Sequence, residues 1–424
     1  MPLNPSSTFR RDLPGHILSI LPVSLVFPVA WMYVGFLLFL LAFVVSGEWT
    51  QKWQRVRQHP MLLPTLLMLG ISSMAMLLHG TLNTEGLNGF LHYQIYFFLL
   101  VMLAVSPGDW QQRAVHSFFL GALIAASLFF LASLKLLPET TLFRSYVIYQ
   151  GNKSILLGLL LAIAAVWMLH EWKVQHNHTW WRLAAFLYVV LGLFIGSKSR
   201  TAGLLFFVLV LMLGFAGARM RRWYLLALAC LAGLGAVTVY QAAQQAAPVT
   251  CLAKEMHDRY QMSGVEILEN RAICTVQQVR DFGKSGNVSE DGMRLQIYHN
   301  TWELVQQSPW TGHGVSQWLP LYQEKAKGSM SEKMTTPHND YLLYWCELGI
   351  AGVVGLLLTF VWQFRVGVQL AKQRSADAIP VYLLSLSMMF AGAFNAILRD
   401  ALFGLAMLIL LAIPMASFRA GQRP

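Results

Sequence analysis

TTPHNDYLLYWCELGIAGVVG, residues 335–355, decides the fold. From Asn339 the chain is almost wholly apolar to about residue 363. About 20 such residues are what a helix needs to cross a bilayer core. The entrance to this run carries a proline, an imidazole, an amide and a carboxylate. These groups are costly in lipid, so the stretch reads as a membrane helix with a polar function at one end.

The rest of the chain follows the same pattern. Of 424 residues, 56% are hydrophobic and 12% charged, about half the charged share of a soluble domain. The apolar residues fall into continuous blocks rather than alternating with polar ones, which excludes a membrane β-barrel. The expected fold is an all-α polytopic membrane protein. Twelve candidate spans are read at about 14–28, 29–46, 60–80, 88–106, 114–134, 154–170, 183–197, 203–217, 223–241, 339–363, 379–397 and 401–418. The first residues, MPLNPSSTFRRDLPGHILSI, resemble a signal peptide. No small-residue cleavage site follows and the apolar stretch runs on to Val45, so this is expected to be a retained first span.

Lys and Arg gather in alternate loops: at 10–11, 52–57, 113, 173–182, 219–222, 365–374 and 419–423. The positive-inside rule makes these loops and both termini cytoplasmic. The net charge of +11 is then a product of topology and calls for no nucleic acid. The expected organisation is nine membrane helices over 1–241, one large, partly helical periplasmic loop over 242–337, and three membrane helices over 338–424.

In the large loop, DGMRLQIYHNTWELVQQSP (291–309) has helical periodicity. Met293, Ile297, Thr301 and Val305 share one face, and Arg294 and Tyr298 the adjacent one. Cys251 and Cys274 form either a disulfide or two free thiols, and their spacing fits no zinc pattern. Cys230 and Cys346 sit within spans as packing residues. HNH at 176–178 lies among Trp172, Trp180 and Trp181 and reads as polar filler in an aromatic belt. No metal site and no cofactor are expected.

Three features on the predicted outer side carry chemistry. Thr336 is a good N-cap and Pro337 a favoured first helical residue, which would put His338 in the first turn. The positive helix end there disfavours imidazolium, and a neutral imidazole is what a general base requires. The alternative is a histidine that only anchors the helix. In GSKSRTAGLL (196–205), Lys198 and Arg200 stand on the side that should be poor in cations. Each charge costs about 2.5–3.5 kcal/mol at a helix centre, less near an end. They read as anion ligands, or as snorkelling ends of a hairpin. Arg294 is unremarkable alone. Together, guanidiniums that fork onto phosphate oxygens and a neutral base suggest a lipid-phosphate site. Lys153, at the outer start of the sixth span, is a further phosphate candidate, while Lys325, Lys327 and Lys333 read either as part of a solvated mobile loop or as contacts for acceptor phosphates. Asp340 suits the helix dipole in a capping role or, alternatively, orients His338, and intramembrane Glu347 has no evident role.

Several tracts resemble the O-antigen ligases, O-antigen polymerases and related oligosaccharyltransferases. They are RLQIY (294–298), PWTGHG (309–314), HNDYL (338–342) and ELGIAG (347–352). RTAGL (200–204) is similar to the ligases' Arg-x-x-x-Leu motif, and His338-Asn339 followed nine residues later by GIAG to their His-Asn-x9-Gly-x-x-Gly element. The resemblance implies a metal-independent, inverting glycosyltransferase of lipopolysaccharide biosynthesis. Its donor would be O-antigen on undecaprenyl diphosphate and its acceptor a hydroxyl of lipid A-core. By the same resemblance Arg200 and Arg294 hold the diphosphate and His338 is the base. Lys198, Lys153, Asn339 and Tyr298 are candidate substrate contacts. The competing expectations are a polymerase, a protein O-oligosaccharyltransferase and, in another class, a transporter of lipid-linked glycans. A transporter would favour repeated halves with a site at mid-membrane, and neither is visible.

Overall fold

A computed structural model describes residues 5–148, 151–174, 180–197, 199–215, 233, 237, 290–329 and 331–419. Every regular element among them is helical. The first half of the chain contains α1 (Pro5–Ser24), α2 (Val29–Val45), α3 (Trp49–Gln58), α4 (Leu62–His79), α5 (Thr84–Tyr93), α6 (Tyr96–Leu103), α7 (Trp110–Ser133), α8 (Arg144–Val147), α9 (Gly151–Val174), α10 (Trp180–Leu191) and α11 (Arg200–Phe215). A single π turn, Gly192–Gly196, prolongs α10. The second half contains α12 (Glu290–Gln307), α13 (Trp318–Lys325), α14 (Asp340–Lys372), α15 (Ala378–Phe394) and α16 (Ala401–Met415).

The apolar blocks of the sequence fall on these helices, except that at 223–241, which lies outside the described residues apart from 233 and 237. By length and composition, α4, α7, α9 and α14 can each cross a membrane. The bent pairs α2–α3 and α5–α6 raise the number from four to as many as six. The expected count of about twelve is therefore not what these helices alone supply, because α10, α11, α15 and α16 are apolar but short. Cys230, Cys251 and Cys274 lie outside the described residues.

Burial follows composition. α9 is buried from Lys153 to Met168 and α16 from Leu402 to Met415, so both form the centre of the bundle. A helix that is apolar all round belongs in such a core or in lipid. α2 and α4 turn Leu37, Leu41, Val44, Leu63, Leu77 and Leu78 outward, each at least half exposed. An outward apolar belt of this extent needs lipid rather than water against it. Around the core, α1 lies along α7, α11 along α9, and α14 against both α15 and α4.

The bundle has two distinguishable ends. At one, His170 Nε2 lies 3.3 Å from the Ala376 carbonyl, Gln111 Nε2 donates to Ser417 Oγ at 2.7 Å, and Arg11 pairs with Glu48 at 3.2 Å. At the other, Asn152 donates to Asp400, Lys153 to the Leu25 carbonyl, and Ser316 Oγ to the Glu85 carbonyl. His338 belongs to this second end.

Candidate functional site

α12 and α13 form a small apolar cluster of their own over the entrance of α14. Ile297, Leu304, Val305, Trp318, Tyr322, Leu343 and Cys346 are all buried in it. The expected face of α12 holds, with Ile297, Thr301 and Val305 inward. Trp318 Nε1 donates to Thr301 Oγ1 at 3.0 Å, and Lys325 pairs with Glu303 at 2.6 Å, which fixes α13 on α12. Lys325 is thus engaged within the protein rather than held out toward a ligand.

The turn after α12 docks into a break in α14. Gly349 has φ +67°, which interrupts the helix. Into that gap His313 N donates to the Cys346 carbonyl at 2.8 Å and Gly314 N to the Glu347 carbonyl at 2.9 Å. Ile350 N in turn donates to the Pro309 carbonyl at 3.0 Å. A Cβ at Gly349 would lie 2.2 Å from the Trp310 carbonyl oxygen, and one at Gly312 2.5 Å from that of Glu347. Only glycine allows both the positive φ and the close approach.

Glu347, without an evident role in the sequence, is the polar centre of this junction. Its carboxylate is 2% exposed. It accepts from Tyr93 OH at 2.7 Å, Ser316 N at 3.0 Å and Trp318 N at 3.4 Å, and lies 3.7 Å from Arg399 Nη1. A buried carboxylate survives only when its oxygens are met in this way.

His338 precedes α14 rather than sitting in its first turn. The N-cap is Asn339, whose side chain accepts from Leu342 N at 3.0 Å, so Thr336 and Pro337 do not cap or open the helix. Asn339 Nδ2 donates to the Ala393 carbonyl at 3.0 Å, which ties the cap to the end of α15. Asp340 neither caps the helix nor orients His338. It is buried and accepts from Leu398 N at 3.1 Å, anchoring the loop between α15 and α16.

His338 itself adopts φ +50°, a strained conformation for a residue with a side chain. Its carbonyl accepts from Tyr298 OH at 3.1 Å. Burial first, and then the charge of Arg294, push its imidazole down to about 4, against the opposing pull of a hydrogen bond with Asn395. The ring is therefore neutral at pH 7. The neutrality has a different cause from the helix dipole expected of the sequence. Arg294 and Tyr298 are four residues apart on α12, hence on one face, and both act on His338.

The structure thus brings His338, Arg294, Tyr298 and Asn339 together. Arg200 opens α11, half-buried, at the same end of the bundle. α11 packs on α9 and α15, and α15 leads directly to Asn395. Gly158 of α9 leaves room there, since a Cβ would meet Ser197 Oγ at 2.4 Å and Ala202 Cβ at 2.9 Å. Lys198 lies outside the described residues. Lys153 departs from expectation: it is 8% exposed and donates to the Leu25 carbonyl at 2.7 Å, so it secures the end of α1.

Residues 183–357 match the family model described as O-antigen ligase. That part of the chain, about two fifths of it, is similar to the O-antigen ligase family. No curated protein matches the chain. The four to six described helices long and apolar enough to cross a membrane fit a multi-pass membrane protein. The matched segment takes in Arg200, Arg294, His338 and the Gly349 break. Asn395 and Arg399 lie beyond it, on the α15–α16 loop. Sequence reading missed both. Arg399 carried the same signal as Arg200, a cation on the predicted outer side; Asn395 carried none, being a neutral amide at a helix end.

Proposed function

We propose that the protein transfers O-antigen polysaccharide from undecaprenyl diphosphate to a hydroxyl of lipid A-core at the periplasmic face of the inner membrane. About twelve spans and cytoplasmic termini complete this reading, with the Arg- and Lys-rich end of the bundle inside. The observation that carries it is the neutral, half-buried imidazole of His338 held beside Arg294.

In this mechanism Arg294 and Arg200 grip the diphosphate. The acceptor oxygen attacks the anomeric carbon, the bond to the phosphate oxygen breaks, and configuration inverts. His338 takes the acceptor's proton while undecaprenyl diphosphate departs with its extra negative charge. Cations placed in advance stabilise that charge more in the transition state than in the ground state. Arg294 has a second effect. Before the donor binds, its charge disfavours imidazolium. Once its charge is offset by diphosphate, the same imidazole becomes the stronger base. Donor binding thereby prepares the base. No nucleotide enters the reaction, because the donor is already activated, and in this reading Arg200 and Arg294 rather than a metal stabilise the leaving diphosphate.

The test is reconstitution of purified protein with lipid-linked polysaccharide and lipid A-core, with chelator and without nucleotide. Ligated lipopolysaccharide is expected. An absolute requirement for a metal or ATP overturns the mechanism. Joining of repeat units on the lipid carrier, with no product on lipid A-core, overturns the ligase assignment in favour of a polymerase.

A further inference from the structure

His338 is held from two sides. Tyr298 of α12 donates to its carbonyl at 3.1 Å, which secures the left-handed backbone. That bond fixes where the side chain starts and leaves the ring free to turn. The ring has a partner of its own, the side-chain amide of Asn395, at the end of α15.

Asn395 is a rigid mount. It is 5% exposed and ends α15 with an extended backbone, φ −149° and ψ 150°. Its N–H donates to the Ala391 carbonyl and its own carbonyl accepts from Ile397 N, both at 2.9 Å. On either side of it the chain is tied to the start of α14. Asn339 Nδ2 donates to the Ala393 carbonyl at 3.0 Å, and Leu398 N to the Asp340 carboxylate at 3.1 Å. Tyr341 OH adds a bond to the Met389 carbonyl at 2.9 Å. Asn395 therefore cannot shift against His338 without breaking several bonds. Arg294 of α12 brings charge to the ring. The other charged groups of this corner are engaged elsewhere: Asp340 on Leu398 N, Arg399 with Glu347 and Asp400 with Asn152. Asn395 thus meets the ring as a neutral partner.

We propose that Asn395 is the positioning residue of His338: its Oδ1 accepts from one ring N–H and leaves the other nitrogen bare to take the acceptor's proton. The role rests on the transfer reaction proposed above. As the bare nitrogen gains the proton from the acceptor hydroxyl, the ring becomes imidazolium and its bond to Oδ1 becomes charge-assisted. Asn395 itself gains and loses no proton. A carboxylate in its place would serve the ring less well, since it would also pair with Arg294 and draw that guanidinium from the diphosphate. Asn395 Nδ2 is buried without a hydrogen-bond partner. Turned over, the amide would offer Nδ2–H to a bare ring nitrogen and oppose protonation. The two orientations therefore predict opposite effects of removing it.

The experiment labels the full chain in micelles with ¹⁵N-histidine and reads the ring nitrogens across pH. Subtracting the His338→Gln spectrum identifies the His338 signals among those of 12 histidines. In the unaltered protein one tautomer is expected. Asn395→Ala should give a mixture of tautomers and a still lower pKa. With lipid-linked donor and lipid A-core it should lower kcat by about 10–100-fold and leave the donor KM unchanged, because the lost bond is to the charged ring and not to the donor. Asn395→Asp keeps the shape, so it carries the test should Asn395→Ala fail to fold. It should retain the wild-type tautomer and move the acid limb of kcat up by at least about one pH unit. A switch to the opposite tautomer in Asn395→Asp, or a raised pKa with unchanged or faster turnover in Asn395→Ala, would mean that Nδ2 faces the ring and overturns the proposal. So does a single, unchanged tautomer in Asn395→Ala. Absence of transfer by the unaltered protein, with a tautomer that still depends on Asn395, would strike the reaction and leave this hydrogen bond standing.

Discussion

His338 combines two costs, a left-handed backbone and a desolvated imidazole, and in the proposed reaction both serve the base. The φ of +50° lets Asn339 take over the cap, which leaves the ring outside the helix and facing Arg294 and Asn395. Its pKa has a kinetic consequence. A base must be neutral to act, so activity falls as pH drops through the imidazole's pKa. For free enzyme that pKa is lowered from 6.5 to about 4. The acid limb of kcat/KM, which reports free enzyme, should therefore lie well below the ordinary histidine range. The acid limb of kcat reports the donor complex, in which diphosphate offsets Arg294, and should lie at higher pH. Coincident limbs near 6.5 in both profiles would remove His338 as the base. His338→Ala should lower kcat by about 10²–10⁴, and Arg294→Ala by about 10²–10³, with thermal unfolding close to wild type in each.

α14 shows where an element's sequence was legible and where it was not. Its apolar run and the helical face of α12 could be read from spacing, because burial follows periodicity. The cap could not. Thr336 and Pro337 satisfy every local rule, yet Asn339 caps, since its amide also reaches the Ala393 carbonyl 54 residues away. Asp340 likewise answers to Leu398 rather than to its own helix. Glu347 was visible as a carboxylate out of place, but its partners Tyr93, Ser316, Trp318 and Arg399 come from three other segments. These partners set an order of severity. Glu347→Ala leaves several buried donors and a guanidinium unmet, and should destabilise by about 3–5 kcal/mol. Glu347→Gln keeps one carbonyl oxygen and should cost less. Gly349→Ala combines positive φ with contact on the Trp310 carbonyl, and should cost more than the roughly 1–2 kcal/mol of a left-handed residue alone. Urea titration in micelles ranks the three, and a Gly349→Ala protein as stable as wild type would show that the turn does not dock in the break.

Across the whole molecule, the all-helical, apolar character was legible in the sequence. Alternate loops rich in Lys and Arg meet at one end of the bundle, where Arg10 reaches the Val45 carbonyl and Gln373 the Arg419 carbonyl. The apolar blocks fall on helices, of which four to six among the described residues are long enough to span by themselves, so length alone does not confirm the expected twelve. Some break into bent pairs, as at α5–α6, and α16 is short because it stands in a protein core rather than in lipid. The two ends make a topological prediction independent of the chemistry. Lys327 is exposed beside α13, at the end that holds His338, and Lys372 is exposed at the last residue of α14, at the other. In a background carrying Cys230→Ala, Cys251→Ala, Cys274→Ala and Cys346→Ala, a single cysteine in place of Lys327 should react with a membrane-impermeant maleimide on intact cells. One in place of Lys372 should react only after the inner membrane is opened. The opposite labelling would put His338 on the cytoplasmic side, where nucleotide-activated donors are available, and the case for a lipid-linked donor would lose its premise. Labelling of both positions on intact cells would mean that α14 does not cross the membrane.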